Sequence, residues 1–265
     1  MPDKVRIILV GDIIGRPGRK ALDVFLPSLK ERFSPSLVIG NGENAAGGIG
    51  ITKEVGKELF LHFDVITSGN HIWDKKEGIE YLKEEPRLLR PANYPVDNPG
   101  RGYHILETAE GHKVAVLNLQ GRVFMEPIEC PFRVADECLE EIHKSTPVVI
   151  VDFHAEATSE KQALGWHLDG RISALIGTHT HVLTGDGKIL PNGTAYLTDV
   201  GMAGGFESVI GIKKEQALLR FLTSRPHRFE PARGQLLFSA ACIEIDLKSG
   251  KALSLEVVNQ TGEFY

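Results

Sequence analysis

Three kinds of protein are argued against by what this chain lacks. Its three cysteines among 265 residues are Cys130, Cys138 and Cys242. They are odd in number, widely spaced and outside any C-x-x-C pair, which argues against a disulfide framework and against a thiolate zinc site. No apolar run approaches the roughly 18 residues of a membrane span, and Val5–Val10 is too short for a secretion-signal core. The expected compartment is therefore the cytoplasm. Positive charge is also in deficit: 30 Lys and Arg face 35 Asp and Glu, for a net charge of -5. Without a long basic stripe, an extended nucleic-acid footprint is not expected, whereas a small phosphate substrate stays open. Repeats and low-complexity segments are missing too. So is a phosphate loop of the G-x-x-x-x-G-K-[ST] type, and Gly11, Gly15 and Gly18 have the wrong spacing for G-x-G-x-x-G.

What remains is the composition of an ordinary soluble globular protein, 42% hydrophobic and 25% charged, with enough chain for a substantial core. Apolar runs and helical periodicities alternate, which predicts an α/β layered domain. Strands are predicted at Val5–Val10, Leu37–Ile39, Val65–Thr67, Val114–Leu119, Val148–Val151, Ala174–Ile176, Thr194–Leu197, Cys242–Leu247 and Leu253–Val258. The first helix carries Ala21, Leu22, Phe25, Leu26 and Leu29 on one face, with Pro17 in its first turn. A second starts at Thr52, a good N-cap. Others cover Lys75–Glu84, Val134–His143, Glu160–Leu168 and Lys213–Leu222. Arg90–Gly102, rich in proline, is read as an irregular loop and not as a linker, so residues 1–265 form one domain. Lys248-Ser249-Gly250 predicts an antiparallel hairpin, and hence mixed sheets.

Five of the strands end in side chains that bind metals or move protons. Asp12 follows the first strand, where it can hold a cation or cap the next helix. Gly42-Glu43-Asn44 follows the second and Gly69-Asn70-His71 the third, the place where open α/β sheets put their ligands. Asparagines beside glycine also serve as plain turn residues. His154 ends the run from Val149. Gly177-Thr178-His179-Thr180-His181 ends the fifth; on an extended segment its two imidazoles point the same way, as a metal clamp would require. Together one Asp, one Glu, the asparagines and three His make a nitrogen and oxygen donor set for two divalent ions. Glu43 is suited to bridge them, since a carboxylate can give one oxygen to each. Arg16, Arg19 and Lys20 could attract phosphate, although a solvated helix face explains them as well. Asp152, Glu156 and Asp199 are expected partners for the ligand histidines.

The order of these segments resembles the calcineurin-like metallophosphoesterases. More specifically, Gly42–Ala46, Ala157–Lys161 and Thr198–Met202 resemble the YmdB-like phosphodiesterase family, and the resemblance covers nearly the whole chain. Two departures from the wider superfamily stand out. Asp12-Ile13-Ile14 replaces the usual D-x-H, and Gly42-Glu43-Asn44 replaces G-D-x-x-D, with Asn44 implied as the ligand that fills the vacancy.

The resemblance implies a four-layer α/β/β/α sandwich with mixed sheets. It implies that Asp12, Asn44 and His181 hold one ion and Asn70, His154 and His179 the other, with Glu43 shared. Iron or manganese is the expected metal, zinc or cobalt the alternative. The implied activity is hydrolysis of small cyclic nucleotides, 2′,3′ or 3′,5′, by a hydroxide activated between the ions. On an extended segment Asn70 and His71 diverge, so Asn70 can face the metals while His71 protonates the leaving alkoxide. A phosphomonoesterase or phosphoprotein phosphatase, and a metal-containing nucleotide-sensing protein, are the rival readings. No membrane partner is expected, and self-association into a homo-oligomer is left open.

Overall fold

The computed structural model describes residues 4–263. Its centre is two mixed sheets packed face to face. The first holds seven strands. In spatial order they are β2 (Asp12–Ile13), β11 (Met202–Gly205), β12 (Leu236–Asp246), β1 (Lys4–Val10), β3 (Leu37–Asn41) and β4 (Val65–Thr67), with β13 (Ala252–Gly262) also paired to β12. The second has six, in the order β5 (Tyr103–Glu107), β6 (Lys113–Gln120), β7 (Val149–His154), β8 (Ala174–Thr178), β10 (Ala195–Leu197) and β9 (Lys188–Ile189).

Strand periodicity explains the layering. Successive side chains point to opposite faces, so Ile7 and Leu9 of β1 enter the core between the sheets while Ile8 and Val10 face outward. The inward set meets Val114, Val116, Ile150 and Ile176 of the second sheet. Outside the first sheet, α1 (Gly15–Phe33) lays Ala21, Leu22, Leu26 and Leu29 over Val10, Val38 and Ala240. Leu59 of α2 (Lys53–Leu59) and Leu82 of α3 (Lys76–Glu84) join that layer. Outside the second sheet, α4 (Pro131–Ile142) and α5 (Thr158–Leu168) bury Leu139 and Leu164 against Leu117, Val151 and Phe153. The central strands of both sheets are therefore dry on both faces and read as continuous apolar runs. The last helix, α6 (Lys214–Thr223), lies apart from these layers and exposes Leu218, Leu219, Phe221 and Leu222.

The predicted elements are present with small changes of length, and Thr52 caps α2 through its hydroxyl, which accepts from the Val55 amide at 3.3 Å. The hairpin is far longer than predicted, eleven residues in each of β12 and β13. Its outer strand β13 alternates exposed polar side chains with apolar ones and carries a weak apolar signal. Four strands escape the sequence pattern. β2 and β9 have two residues each, β11 is Met-Ala-Gly-Gly, and β5 is a half-buried edge. Among the described residues no helix is long and apolar enough to cross a membrane.

Parallel pairing then places the site. β1, β3 and β4 run parallel, as do β6, β7, β8 and β10. The loops that leave the carboxyl ends of β1, β3, β4, β7 and β8 meet at one rim of the sandwich.

Candidate metal centre

Seven side chains converge there. His154, fully buried, is the hub: its Nε2 lies 3.1 Å from Glu43 Oε1, 3.2 Å from Asn70 Oδ1 and 3.0 Å from His179 Nδ1. Donor atoms of Glu43, His154 and His179 all fall within 4.8 Å of one another, close enough to hold one ion. A second group adjoins the first. His181 Nε2 is 3.3 Å from Asn44 Nδ2 and 3.5 Å from Asp12 Oδ1, and Asn44 Nδ2 is 3.0 Å from Glu43 Oε1. Glu43 is the residue common to both groups. A half-turn of the Asn44 amide would present its oxygen in place of its nitrogen at no steric cost.

Each histidine spends its other nitrogen on a fixed partner. His154 Nδ1 donates to the Thr178 hydroxyl at 3.0 Å, which donates to Asp152 Oδ1 at 2.7 Å. His181 Nδ1 donates to the Ile210 carbonyl at 2.8 Å, and His179 Nε2 lies 3.1 Å from Glu156 Oε2. One nitrogen is thereby held as a donor and the other turned into the cluster, the arrangement that orients metal-ligating imidazoles.

Electrostatics points the same way. Burial opposes the Asp12 carboxylate, yet His181, His154 and the His179 amide hold it well below the usual range. Glu43 is likewise lowered, with burial outweighed by His154. Burial works against charge on His154 also, but Glu43, Asp12 and Asp152 push it up to about 9. His181 is raised by Asp12 against the same penalty, whereas burial and the neighbouring His154 bring His179 down to about 3. Asp152, desolvated behind the cluster, is raised to about 6. The buried carboxylates thus demand positive charge in their midst. Asp12 Oδ1 is buried and makes no hydrogen bond. A cation satisfies both requirements, so the donor set fits a metal.

The backbone here departs from the extended geometry expected of both motifs. β8 stops at Thr178, and His179 and His181 take φ of 95° and 62°. Positive φ costs a residue with a side chain of order 1–3 kcal/mol, and it turns the two rings apart instead of aligning them as a clamp. Asp199 holds this bend: its Oδ2 accepts from the Thr180 amide at 3.1 Å and hydroxyl at 2.8 Å, and Asp12 Oδ2 accepts from the His179 amide at 3.1 Å. Asn70 and His71 likewise lie on a single 3-10 turn, Asn70–Trp73, and not on a strand. His71 faces the cavity that Glu43, Asn44, His179 and His181 also line. Its amide donates to Glu43 Oε2 at 3.0 Å, and its Nδ1 meets Asp74 Oδ2 at 2.6 Å.

Several other expectations need revision. Asp12 caps no helix; the residue before α1 is Ile14, without a side-chain cap. Asp152 reaches His154 by way of Thr178, and Asp199 holds Thr180 and not a ring. Arg19 is structural, bonded to Glu58 and the Ala45 carbonyl. Ile210 carries no signal in the sequence; Thr178 and Lys161 fall within motifs, but nothing in the pattern assigns them these roles. Lys161 is wholly buried, with Nζ 2.7 Å from Asp199 Oδ2 and 2.7 Å from the Thr178 carbonyl. Lys161→Met should leave Asp199 unpaired and destabilise the fold by about 3–5 kcal/mol. An unchanged urea midpoint would contradict that role.

Gly69 has a steric reason. A β-carbon there would lie 2.1 Å from His154 Cδ2 and 2.2 Å from its Nε2. Gly69→Ala must push the hub imidazole out of place, so a misplacement near 1 Å is expected to cost about 10²-fold in turnover. Circular dichroism should meanwhile show an intact fold.

Comparison with known proteins identifies the family. The sequence profile of the family described as "YmdB-like protein" matches residues 8–258. The chain belongs to the YmdB-like family. Among its relatives, a Bacillus subtilis (strain 168) 2′,3′-cyclic-nucleotide 2′-phosphodiesterase is 47% identical, over 98% of this chain and 100% of that protein. Two solved structures share the fold. A hypothetical protein from Thermus thermophilus superposes with a TM-score of 0.89 at 42% identity, covering 97% of this chain and 99% of the other. A novel phosphatase from Mycoplasma pneumoniae gives 0.91 at 33% identity, covering 99% and 95%. In each of these matches 97% or more of this YmdB-like chain is covered.

Proposed function

We propose that the protein is a metal-dependent phosphodiesterase that opens 2′,3′-cyclic nucleotides at the 2′ ester, with 3′,5′-cyclic nucleotides open to the same chemistry. One observation carries the reading: the histidine, carboxylate and amide donors converge on Glu43 with every outer imidazole nitrogen already committed. Asn70, His154 and His179 would hold one ion, and Asp12, Asn44 and His181 another, with Glu43 shared. The donors are oxygen and nitrogen only, which suits iron or manganese. When bound, the metal would supply water that is nucleophilic near neutral pH and neutralise charge on the phosphoryl oxygens.

The remaining work falls to the protein. The cavity over the cluster, about 870 Å³, is wide enough for a nucleotide and has an apolar wall of Ile49, Ile210 and Phe229 for the base. Asp74 fixes the His71 ring by its Nδ1, so Nε2 is the nitrogen left to deliver a proton to the departing 2′ oxygen.

Complete removal of metal with a chelator is expected to abolish hydrolysis of 2′,3′-cyclic AMP, and manganese should restore it. Restoration should be weaker at pH 6 than at pH 8, because the metal must displace protons that His154 and His181 retain. Full turnover after verified metal removal rejects the proposal. Faster turnover of a mono-aryl than a bis-aryl phosphate would favour a phosphomonoesterase instead.

A further inference from the structure

A second cavity opens beside the first. It measures about 350 Å³ and is lined by Arg16, Arg228 and Arg233 with Pro17, Pro231 and Glu230. Gly47, Arg228 and Glu230 belong to the walls of both cavities, so the two adjoin. Among the described residues none of these three arginines forms an ion pair, in contrast to Arg19, which is taken by Glu58. The single acid in the wall, Glu230, is paired with Lys213 at 2.5 Å. Arg16 and Pro17 belong to the first turn of α1, whose dipole adds to the positive potential. Three arginines that line a small cavity with no ion-pair partner of their own, beside one acid already paired with Lys213, suit a phosphate.

The cyclic phosphate of the substrate is accounted for by the metal centre, so this cavity addresses a different group. On a nucleoside 2′,3′-cyclic phosphate the 5′ oxygen projects from the opposite edge of the ribose. A phosphate attached there points away from the metal ligands and toward whatever adjoins them. We propose that the arginine cavity binds a phosphate on the substrate's 5′ oxygen, and that the preferred substrate class is a 2′,3′-cyclic nucleotide carrying this second phosphate. The inference rests on the phosphodiesterase reading above. Two molecules share the chemistry, a 5′-phosphorylated mononucleotide and the 3′ end of a short RNA, in which the 5′ oxygen bears the internucleotide phosphate. Neither requires an extended basic surface.

The metal-loaded enzyme would be assayed on 2′,3′-cyclic AMP with a free 5′-hydroxyl, on its 5′-phosphorylated form, and on a diadenosine ending in a 2′,3′-cyclic phosphate. Charge-assisted hydrogen bonds of this kind are worth about 10- to 100-fold, so kcat/KM should rise by that factor with the second phosphate. A gain confined to the mononucleotide or to the dinucleotide identifies the source, and either supports the proposal. Arg16→Ala/Arg233→Ala removes two arginines that line the side cavity alone. This variant should lose the gain while keeping its turnover of the 5′-hydroxyl substrate. Equal kcat/KM for all three substrates in the wild type overturns the proposal and leaves the phosphodiesterase reading standing. So does a gain that survives in the double variant. Failure to hydrolyse any of the three substrates overturns both.

Discussion

Glu43→Gln is expected to lower kcat/KM for 2′,3′-cyclic AMP by about 10³-fold or more while the fold stays intact. The reason is position. Glu43 Oε1 stands 3.1 Å from His154 Nε2 and 3.0 Å from Asn44 Nδ2, so one carboxylate serves both halves of the donor set. The amide has nearly the same shape but removes the negative charge and can turn an N–H₂ toward the cluster. A shared ligand lost from a two-ion site weakens both ions, and several kcal/mol of transition-state stabilisation, at about 1.4 kcal/mol per tenfold, sets the size of the loss. Metal content measured by plasma emission should fall along with activity. Two tightly held ions and near-normal turnover in the variant would remove Glu43 from the centre of the mechanism.

His71→Gln tests the proton. With ribose esters the leaving alkoxide is strongly basic and needs protonation, a contribution worth typically about 10² to 10⁴ in rate. A nitrophenolate leaves without help. The variant should therefore lose about 10²-fold or more on 2′,3′-cyclic AMP and far less on bis(4-nitrophenyl) phosphate. Equal losses on the two substrates would reject the proton-donor role, because the His71 backbone amide that contacts Glu43 Oε2 at 3.0 Å is kept in the variant. Asp74→Asn supplies a graded control, since it loosens the ring at Nδ1 and leaves Nε2 in place.

Much of this was legible in the residues because the fold obeys simple periodicities. Runs such as Ile7–Val10 and Val149–Val151 have both faces dry, so their apolar continuity marks them as interior strands. Chemistry then collects where those strands stop, which is why Asp12, Glu43, Asn70, His154 and His179 could be singled out one by one. Local conformation was harder to read. The bend at His179 and His181 depends on Asp199, far along the chain beyond β10, and on Asp12 from the other sheet. No nearest-neighbour pattern encodes such a bond. The buried pair Lys161 and Asp199 was hidden for the same reason: lysine in a helix reads as a solvated side chain, and its burial comes from β8 and the segment beyond β10 closing over it. Strand β11 escaped because Met-Ala-Gly-Gly has no branched or aromatic signal; it is a strand because β2 and β12 flank it.

The proposed division of the two histidines between two ions is tested most directly by anomalous X-ray diffraction from manganese-loaded crystals. Two peaks about 3.5–4 Å apart are expected, one ligated by Asn70, His154 and His179, the other by Asp12, Asn44 and His181, with Glu43 touching both. A single peak ligated by His179 and His181 together would contradict it.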